Sequence, residues 1–244
     1  MTQLNLTHTA APKTTPPPRM TTARYAKSFL TKGTIQLYIF ITAILTLAAV
    51  ATFGVTLPML VTALVTLVVL SFLEYAIHRF GYHTQFFFKH KLTARLWRNL
   101  HYWHHMNPND PRSIMGWPQY TIPVVVLVTV PLGWLVAGAP GAGTAVAVGM
   151  LLLIAYEYAH GFAHMVAEPG SGYGRMIRRS HMLHHFHNET GNFGITSPVY
   201  DLMFGTYYRD PVDVERCPTV RNLGYTDEVA RRYPWAGEGD TLHH

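Results

Sequence analysis

Charge is scarce in this sequence. Charged residues fill 13% of 244 positions, about half the quarter that is usual for a soluble domain. The deficit is concentrated. No charged side chain occurs between Gly33 and Leu73, and none between Ser113 and Tyr156. Each run is about twice the ~20 apolar residues that cross a bilayer core. Cysteine is nearly missing as well. Cys217 stands alone, which excludes an intramolecular disulfide and any cysteine-ligated zinc or iron–sulfur centre, and it reads as an inert thiol. No Ser-His-Asp set, no paired carboxylates and no His-Glu-x-x-His string is present, so the sequence offers no side-chain acid, base or nucleophile. Nor does a signal-peptide core with a cleavage site follow the start. The net charge of +6 could suggest nucleic acid, but the basic residues flank the apolar runs, which points to a membrane surface instead.

Residues 1–33 are polar, with Pro12, Pro16, Pro17 and Pro18, and basic through Lys13, Arg19, Arg24, Lys27 and Lys32. They read as a disordered tail. Gly54 and Pro58 break the first uncharged run, and Gly138-Ala139-Pro140-Gly141 the second. The pattern predicts helices near 35–53, 57–77, 119–137 and 142–165. That is an all-α integral membrane protein of about four transmembrane helices in two hairpins. Arg79, Lys89, Lys91, Arg95, Arg98 and Arg112 lie between the runs, Arg175, Arg178 and Arg179 follow them, and the two turns are uncharged. The excess of Lys and Arg marks the cytoplasmic side, so both termini and the central segment are expected there. The expected divisions are the tail at 1–33, a membrane-embedded domain at 34–211 and a polar C-terminal tail at 212–244.

Histidine is the abundant polar residue: fifteen, against thirteen Asp and Glu together. Ten fall into four clusters. These are His78 and His83; His101, His104 and His105; His160 and His164; and His181, His184 and His185. All lie at or beyond the cytoplasmic ends of expected spans. On a helix, positions i, i+3 and i+4 share a face, so each His-x2-His-His triplet is expected to point one way. His78 and His83 are five apart, which fits no straight α-helix, and Gly81 suggests that the helix ends or distorts there. A lone histidine is usually a satisfied polar residue. Four clusters at ligand spacing on one side are a metal site, and ten imidazoles suit two ions better than one. Imidazole accepts iron, zinc, copper or nickel, so the residues alone leave the metal open. Glu74 and Glu157 stand one helical turn before His78 and His160. They are candidates to receive the outer ring N–H of a ligand. His187 is a further candidate beside the site, while His8, His90, His243 and His244 are expected bystanders. Tyr75, Trp103, Tyr156 and Tyr158 read as interfacial aromatics or pocket walls.

In order, His-x4-His, His-x2-His-His, His-x3-His and His-x2-His-His over Glu74–Pro211 resemble the fatty acid hydroxylase and sterol desaturase superfamily of membrane di-iron enzymes. Glu74-Tyr-Ala-Ile-His-Arg-Phe80, Pro108, Asp110, Arg112 and Pro118, Gly191-Asn-Phe-Gly-Ile-Thr-Ser197 and Asp201-Leu-Met-Phe-Gly-Thr206 are most similar to fatty acid 2-hydroxylases. The resemblance implies a four-span bundle under a cytoplasmic helical cap, with the ten clustered histidines holding two iron ions. Zinc is an expected substitute in purified protein. It implies O2 as co-substrate, a hydrophobic tunnel from the bilayer, and Gly191–Ser197 lining the site or shaping the cap. The fused haem domain of eukaryotic relatives, with its His-Pro-Gly-Gly motif, is not found, so a separate electron-donor protein is expected. On this reading the chain hydroxylates a lipid acyl chain, at C2 by resemblance, in a membrane. A bacterial plasma membrane is favoured over the endoplasmic reticulum. The same site could serve a sterol or carotenoid, or desaturation. A metal transporter would place ligands near the bilayer midplane, and a zinc hydrolase would keep three ligands and a general-base glutamate.

Overall fold

The computed structural model describes residues 20–165 and 167–237. It is mostly helical. The short strand β1 (Met20–Thr21) pairs in parallel with β2 (Ala167–Glu168). Helix α1 (Thr22–Leu30) follows β1, started by the Thr21 hydroxyl, which accepts the Arg24 N–H. Then come the long helices α2 (Gly33–Phe53) and α3 (Leu57–Ala76). Gly54 ends α2 at φ 68°, a conformation open to glycine, and Pro58 sits in the first turn of α3, where its missing N–H is harmless. Short helices α4 (Lys91–Trp97), α5 (Trp103–Met106) and α6 (Pro111–Ile114) lead to α7 (Pro118–His164). Beyond β2 lie α8 (Gly172–Phe186), α9 (Val199–Met203), α10 (Asp227–Arg232) and α11 (Pro234–Gly237).

Three helical stretches are long and apolar enough to cross a membrane: Gly33–Phe53, Leu57–Tyr82 and Pro111–His164. The last is broken. Ala137 and Gly138 have non-helical dihedrals, with Gly138 at φ 60°. Beyond the break the two arms touch. A Cβ on Gly133 would run into the Gly141 carbonyl, and one on Gly149 would meet Val125 and Thr129. Only glycine allows this approach.

Along the long helices many large apolar side chains face outward while small ones face inward. Many buried positions in the long helices are small, among them Thr42, Ala49, Thr62, Thr66, Thr129, Gly133, Gly141, Ala145 and Gly149, beside the larger Ile35, Tyr38, Met59, Tyr75, Met150 and Phe162. The large apolar residues that face outward include Phe40, Leu47, Leu64, Leu127 and Leu135. Hydrocarbon surroundings remove the reason to bury leucine, whereas close backbone packing rewards small residues. The Thr42, Thr62 and Thr129 hydroxyls donate to the carbonyl four residues back, which pairs these three.

Two expectations about the ends change. The tail expected over 1–33 contains α1, whose Tyr25 and Phe29 are buried with Ile35, Tyr38, Met150 and Phe162; residues 1–19 lie outside the described residues. An amphipathic helix carries enough polar residues to pass for a tail. The polar tail expected over 212–244 is likewise packed as far as it is described. Leu223 and Ala236 are buried against Phe88, Ala94 and Trp97. Its few apolar side chains are spread too widely to announce a core segment. Among the bystanders, His90 is exposed, while His8, His243 and His244 lie outside the described residues.

Candidate metal centre

The end of α3 does not continue as an α-helix. Ile77–Tyr82 form a π-helical turn, in which the His83 N–H bonds to the His78 carbonyl. Five-residue spacing brings His78 and His83 onto one face, and π-turns of this kind recur at functional sites. Gly81 is required, because a Cβ there would meet the Phe87 ring at 2.5 Å. A second π-turn, Arg98–Tyr102, delivers His101. His104 and His105 follow on α5, His160 and His164 on the last turns of α7, and His181, His184 and His185 on α8.

The structure brings all ten clustered histidines together, in two groups of five. His78, His83, His101, His105 and His184 form one, and His104, His160, His164, His181 and His185 the other. Within a group, one ring nitrogen of each residue lies within 4.8 Å of all the others, and each group could hold a metal ion. Each His-x2-His-His triplet is therefore divided, contrary to the expectation that it points one way. Its i, i+4 pair joins one group and its middle histidine the other. At four and three residues apart, side chains are offset by about +40° and −60° around the helix axis, so a helix wedged between two sites can serve both. The result is an internal pseudo-symmetry. Each group takes two histidines from a span end, an i, i+4 pair from the segment that follows, and one residue from the opposite triplet.

The ring chemistry fits metal ions. Carbonyl oxygens only accept, so Nδ1 carries the proton where it meets one. This occurs at His78 to Phe193 (2.5 Å), His184 to Gly191 (2.8 Å) and His105 to Val220 (3.4 Å). The Nε2 atoms of these three rings are buried lone pairs without a partner. Elsewhere Nε2 faces Nε2: His83 and His101 at 2.9 Å, His104 and His160 at 2.9 Å, His104 and His185 at 3.1 Å, His164 and His181 at 2.7 Å. Two metal–nitrogen bonds of about 2.1 Å at a right angle would place their nitrogens about 3.0 Å apart. Burial, joined by repulsion from neighbouring imidazoles, holds His83, His101, His104, His105, His181 and His185 well below the usual imidazole value. Burial lowers His184 to about 4, although its bond to Gly191 pulls the other way. The rings are neutral at pH 7, the form that binds metal.

The three candidates for outer contacts make their hydrogen bonds to backbone groups and a hydroxyl. Glu74 touches no histidine. Its Oε1 accepts the N–H groups of Ile195 and Thr196, both at 2.9 Å, and its Oε2 accepts the Thr196 hydroxyl at 2.7 Å. The π-turn at Ile77 rotates His78 away from it, and the carboxylate clamps the loop instead. That loop, Gly191–Ser197, supplies the carbonyls that hold His78 and His184. Glu157 accepts the Gly116 N–H at 2.9 Å through Oε1 and bonds to no histidine. His187 lies outside both groups and meets the Val214 carbonyl through Nε2 at 2.7 Å.

Two residues were not anticipated. Asp201 is fully buried and grips the same loop at its neighbouring residues, accepting from Phe193 N–H, Gly194 N–H and the Thr206 hydroxyl. Asn192, at φ 56°, exchanges two hydrogen bonds with the Tyr208 backbone. The run Asp201–Thr206 had marked this stretch, but nothing local tied it to the loop.

A cavity of about 210 Å³ is lined by a residue of each group, His78 of one and His160 of the other. Leu70, Leu73, Val125, Val128, Leu152 and Leu153 make its walls apolar, while Tyr82, Asn99, Tyr156 and Glu157 lie at its histidine end.

Comparison with known proteins yields one family and several relatives. The fatty acid hydroxylase family profile matches residues 63–206. A dihydroceramide fatty acyl 2-hydroxylase of Arabidopsis thaliana is 31% identical over 63% of this chain and 63% of its own length. The ceramide very long chain fatty acid hydroxylase of Saccharomyces cerevisiae is 29% identical over 56% of this chain and 35% of its own. The human fatty acid 2-hydroxylase is 27% identical over 56% of this chain and 36% of its own. The chain thus spans less than two thirds of these relatives. The solved hydroxylase domain of full-length Scs7p shares the fold, with a TM-score of 0.58 at 20% identity over 82% of this chain and 70% of that one.

Proposed function

The chain belongs to the fatty acid hydroxylase family, and from that premise we propose that it is a membrane-bound di-iron oxygenase that hydroxylates a lipid acyl chain at C2. The observation that carries the reading is the cavity. It is mostly apolar, lies between helices whose outer faces suit lipid, and is lined by a histidine of each group. The relatives named above act on fatty acyl chains, two of them on chains of ceramide type.

Each group of five imidazoles would hold one ion. Five nitrogens would exceed the four of a closed zinc site, which favours iron. When bound, iron supplies the reductive activation of O2 that lets an unactivated C–H bond be oxidised, with electrons from a separate donor protein. The chain's own residues do the rest. The carbonyls of Phe193, Gly191 and Val220 keep His78, His184 and His105 in the tautomer that offers Nε2. Leu70, Val125, Val128 and Leu152 exclude water and fix the acyl chain along one line. Burial of the chain contributes about 0.8 kcal/mol per CH2.

The break at Ala137–Gly138 supports reading Pro118–His164 as two spans, hence four spans in two hairpins. The Lys and Arg residues around them support a multi-pass placement with both termini, the histidines and the helical cap on the cytoplasmic side. The packing of α1 and of residues 220–236 supports a catalytic unit wider than 34–211.

The test is lipid profiling by mass spectrometry of membranes containing the chain, beside a His104→Ala, His184→Ala double variant that removes one ligand from each group. An oxygen added at C2, drawn from labelled O2 and absent in the variant, is expected. A loss of two hydrogens would replace hydroxylation by desaturation. No change in acyl lipids, with an active reductant present, would sink the reading.

A further inference from the structure

Besides ring nitrogens of His78 and His160, two buried polar atoms on the cavity wall have no partner: Oε2 of Glu157 and Nδ2 of Asn99. Glu157 is 1% exposed. Its carboxyl is held in place, because Oε1 accepts the Gly116 N–H. Gly116 itself has no space for a side chain, since a Cβ would stand 2.8 Å from Glu157 Oε1 and 2.6 Å from Thr121. The backbone is thus fitted to one oxygen and leaves the other free. Asn99 sits on the π-turn two residues before His101, and Glu157 one helical turn before His160. A buried donor or acceptor left unpaired costs about 1–3 kcal/mol, so an unpaired donor and an unpaired acceptor on one cavity wall call for an explanation.

A ligand provides it. An apolar tunnel can hold an acyl chain, but it cannot count carbons from a methyl end whose distance varies. Attack at C2 requires the neighbouring carbonyl to be held beside the histidines. We propose that Asn99 and Glu157 form the polar grip for the acyl head group, and so set which carbon is oxidised. The Asn99 Nδ2–H donates to the acyl carbonyl oxygen. Glu157 Oε2 accepts from the N–H or O–H carried by the same head group. The class of ligand is an acyl compound with a carbonyl acceptor beside a donor, which an N-acyl amide and a protonated free acid both satisfy. This inference rests on the reading of the cavity as an acyl site, and names the groups that orient the substrate in it.

The test needs no turnover. Binding of hexadecanamide, hexadecanoic acid and hexadecane would be measured on the zinc-loaded protein and on its Asn99→Leu and Glu157→Gln variants. The wild-type chain is expected to prefer hexadecanamide or hexadecanoic acid over hexadecane. Each variant is expected to lower that preference by about 3- to 10-fold, the worth of one hydrogen bond, with hexadecane unchanged. Whether the loss falls on the amide or on the acid identifies the head group. A polar-to-alkane ratio equal in all three proteins overturns the proposal, and a damaged cavity that weakens every ligand alike counts as that result. Because the ratio is independent of oxygenation, it can fail while product analysis upholds C2 hydroxylation, and it can hold where that analysis fails.

Discussion

His105 and His185 lie ring on ring, centroids 4.1 Å apart and planes inclined by 28°, although each belongs to a different group of five. Their neighbours in sequence cross over: His104 joins the group of His185, and His184 the group of His105. Two ions held this way would share a wall of imidazoles.

The division of the triplets predicts an unusual pattern of metal loss. The wild-type chain is expected to hold two metal equivalents, and a His181→Ala, His185→Ala variant about one. Adding His104→Ala to that variant should remove nothing more, because its group is already broken. Adding His101→Ala, three residues away, should remove the remaining equivalent. Metal analysis of the purified proteins decides. If His104→Ala took the last metal, the assignment of ligands to groups would be wrong.

The loop at Gly191–Ser197 is gripped by Glu74 at residues 195 and 196 and by Asp201 at residues 193 and 194, and it orients His78 and His184, both of one group. Asp201→Asn would set an amide N–H against the N–H of Gly194 or Phe193. Contacts behind metal ligands are typically worth 10- to 100-fold in affinity. The expected outcome is a loss of that size at the group containing His78, with the group containing His160 retained. A chelator competition resolving two metal affinities would check this, and equal weakening of both would contradict it.

Acid should unfold the metal-free chain early. Burial lowers His184 to about 4 from its ordinary 6.5, and six further histidines outside the spans are held low for the same reason. Between pH 6.5 and 4 the unfolded chain therefore binds more protons than the folded chain. Stability is full above pH 6.5 and falls as the pH drops through this window. Bound metal competes with those protons and should move the transition lower. Thermal unfolding of chelated and metal-loaded protein from pH 7 to 4 measures the shift. A chelated protein whose Tm stayed flat to pH 4 would contradict the buried neutral histidines.

Much of this was legible in the sequence for plain reasons. The long apolar helices announce themselves because hydrocarbon tolerates no charge, and the histidine clusters because their spacing is local. The π-turn at His78 was foreshadowed by a five-residue interval and Gly81. What was hidden depends on contacts between distant segments. Whether His104 sides with His105 or with His160 is decided by how α5 and α8 wedge together. Glu74 stood at a ligand's spacing yet serves residues 195 and 196, which only the fold brings near it.

Trp97 tests the unanticipated C-terminal packing. It is fully buried, donates Nε1–H to the Tyr82 carbonyl at 2.9 Å, and lies against Leu223 and Ala236. Removing a buried large aromatic costs about 3–5 kcal/mol. Trp97→Ala is expected to expose residues 220–236 to protease and to release the Val220 carbonyl from His105, weakening metal at that group. Limited proteolysis with and without metal would check it. Resistance equal to wild type would mean that this segment is held by other contacts.

The cavity walls should limit acyl length. Val128, Leu152 and, on α3, Leu70 line the cavity, and Gly149, which also lines it, stands against Val125, Thr129 and Leu70. Along α7, the step from His160 to Leu152 is eight residues, about 12 Å of helix at 1.5 Å each. A bulkier side chain that far from the histidines should spare the head group and obstruct only the chain's far end. Val128→Phe is therefore expected to leave short acyl substrates little changed and to penalise long ones, at about 0.8 kcal/mol, or roughly fourfold, for each methylene denied burial. Competition between a short and a long acyl substrate, read as the ratio of hydroxylated products, gives the answer directly. An unchanged ratio would mean that the chain leaves the cavity before it reaches Val128 and continues among the bilayer lipids, so that length would be limited by the membrane and not by the protein.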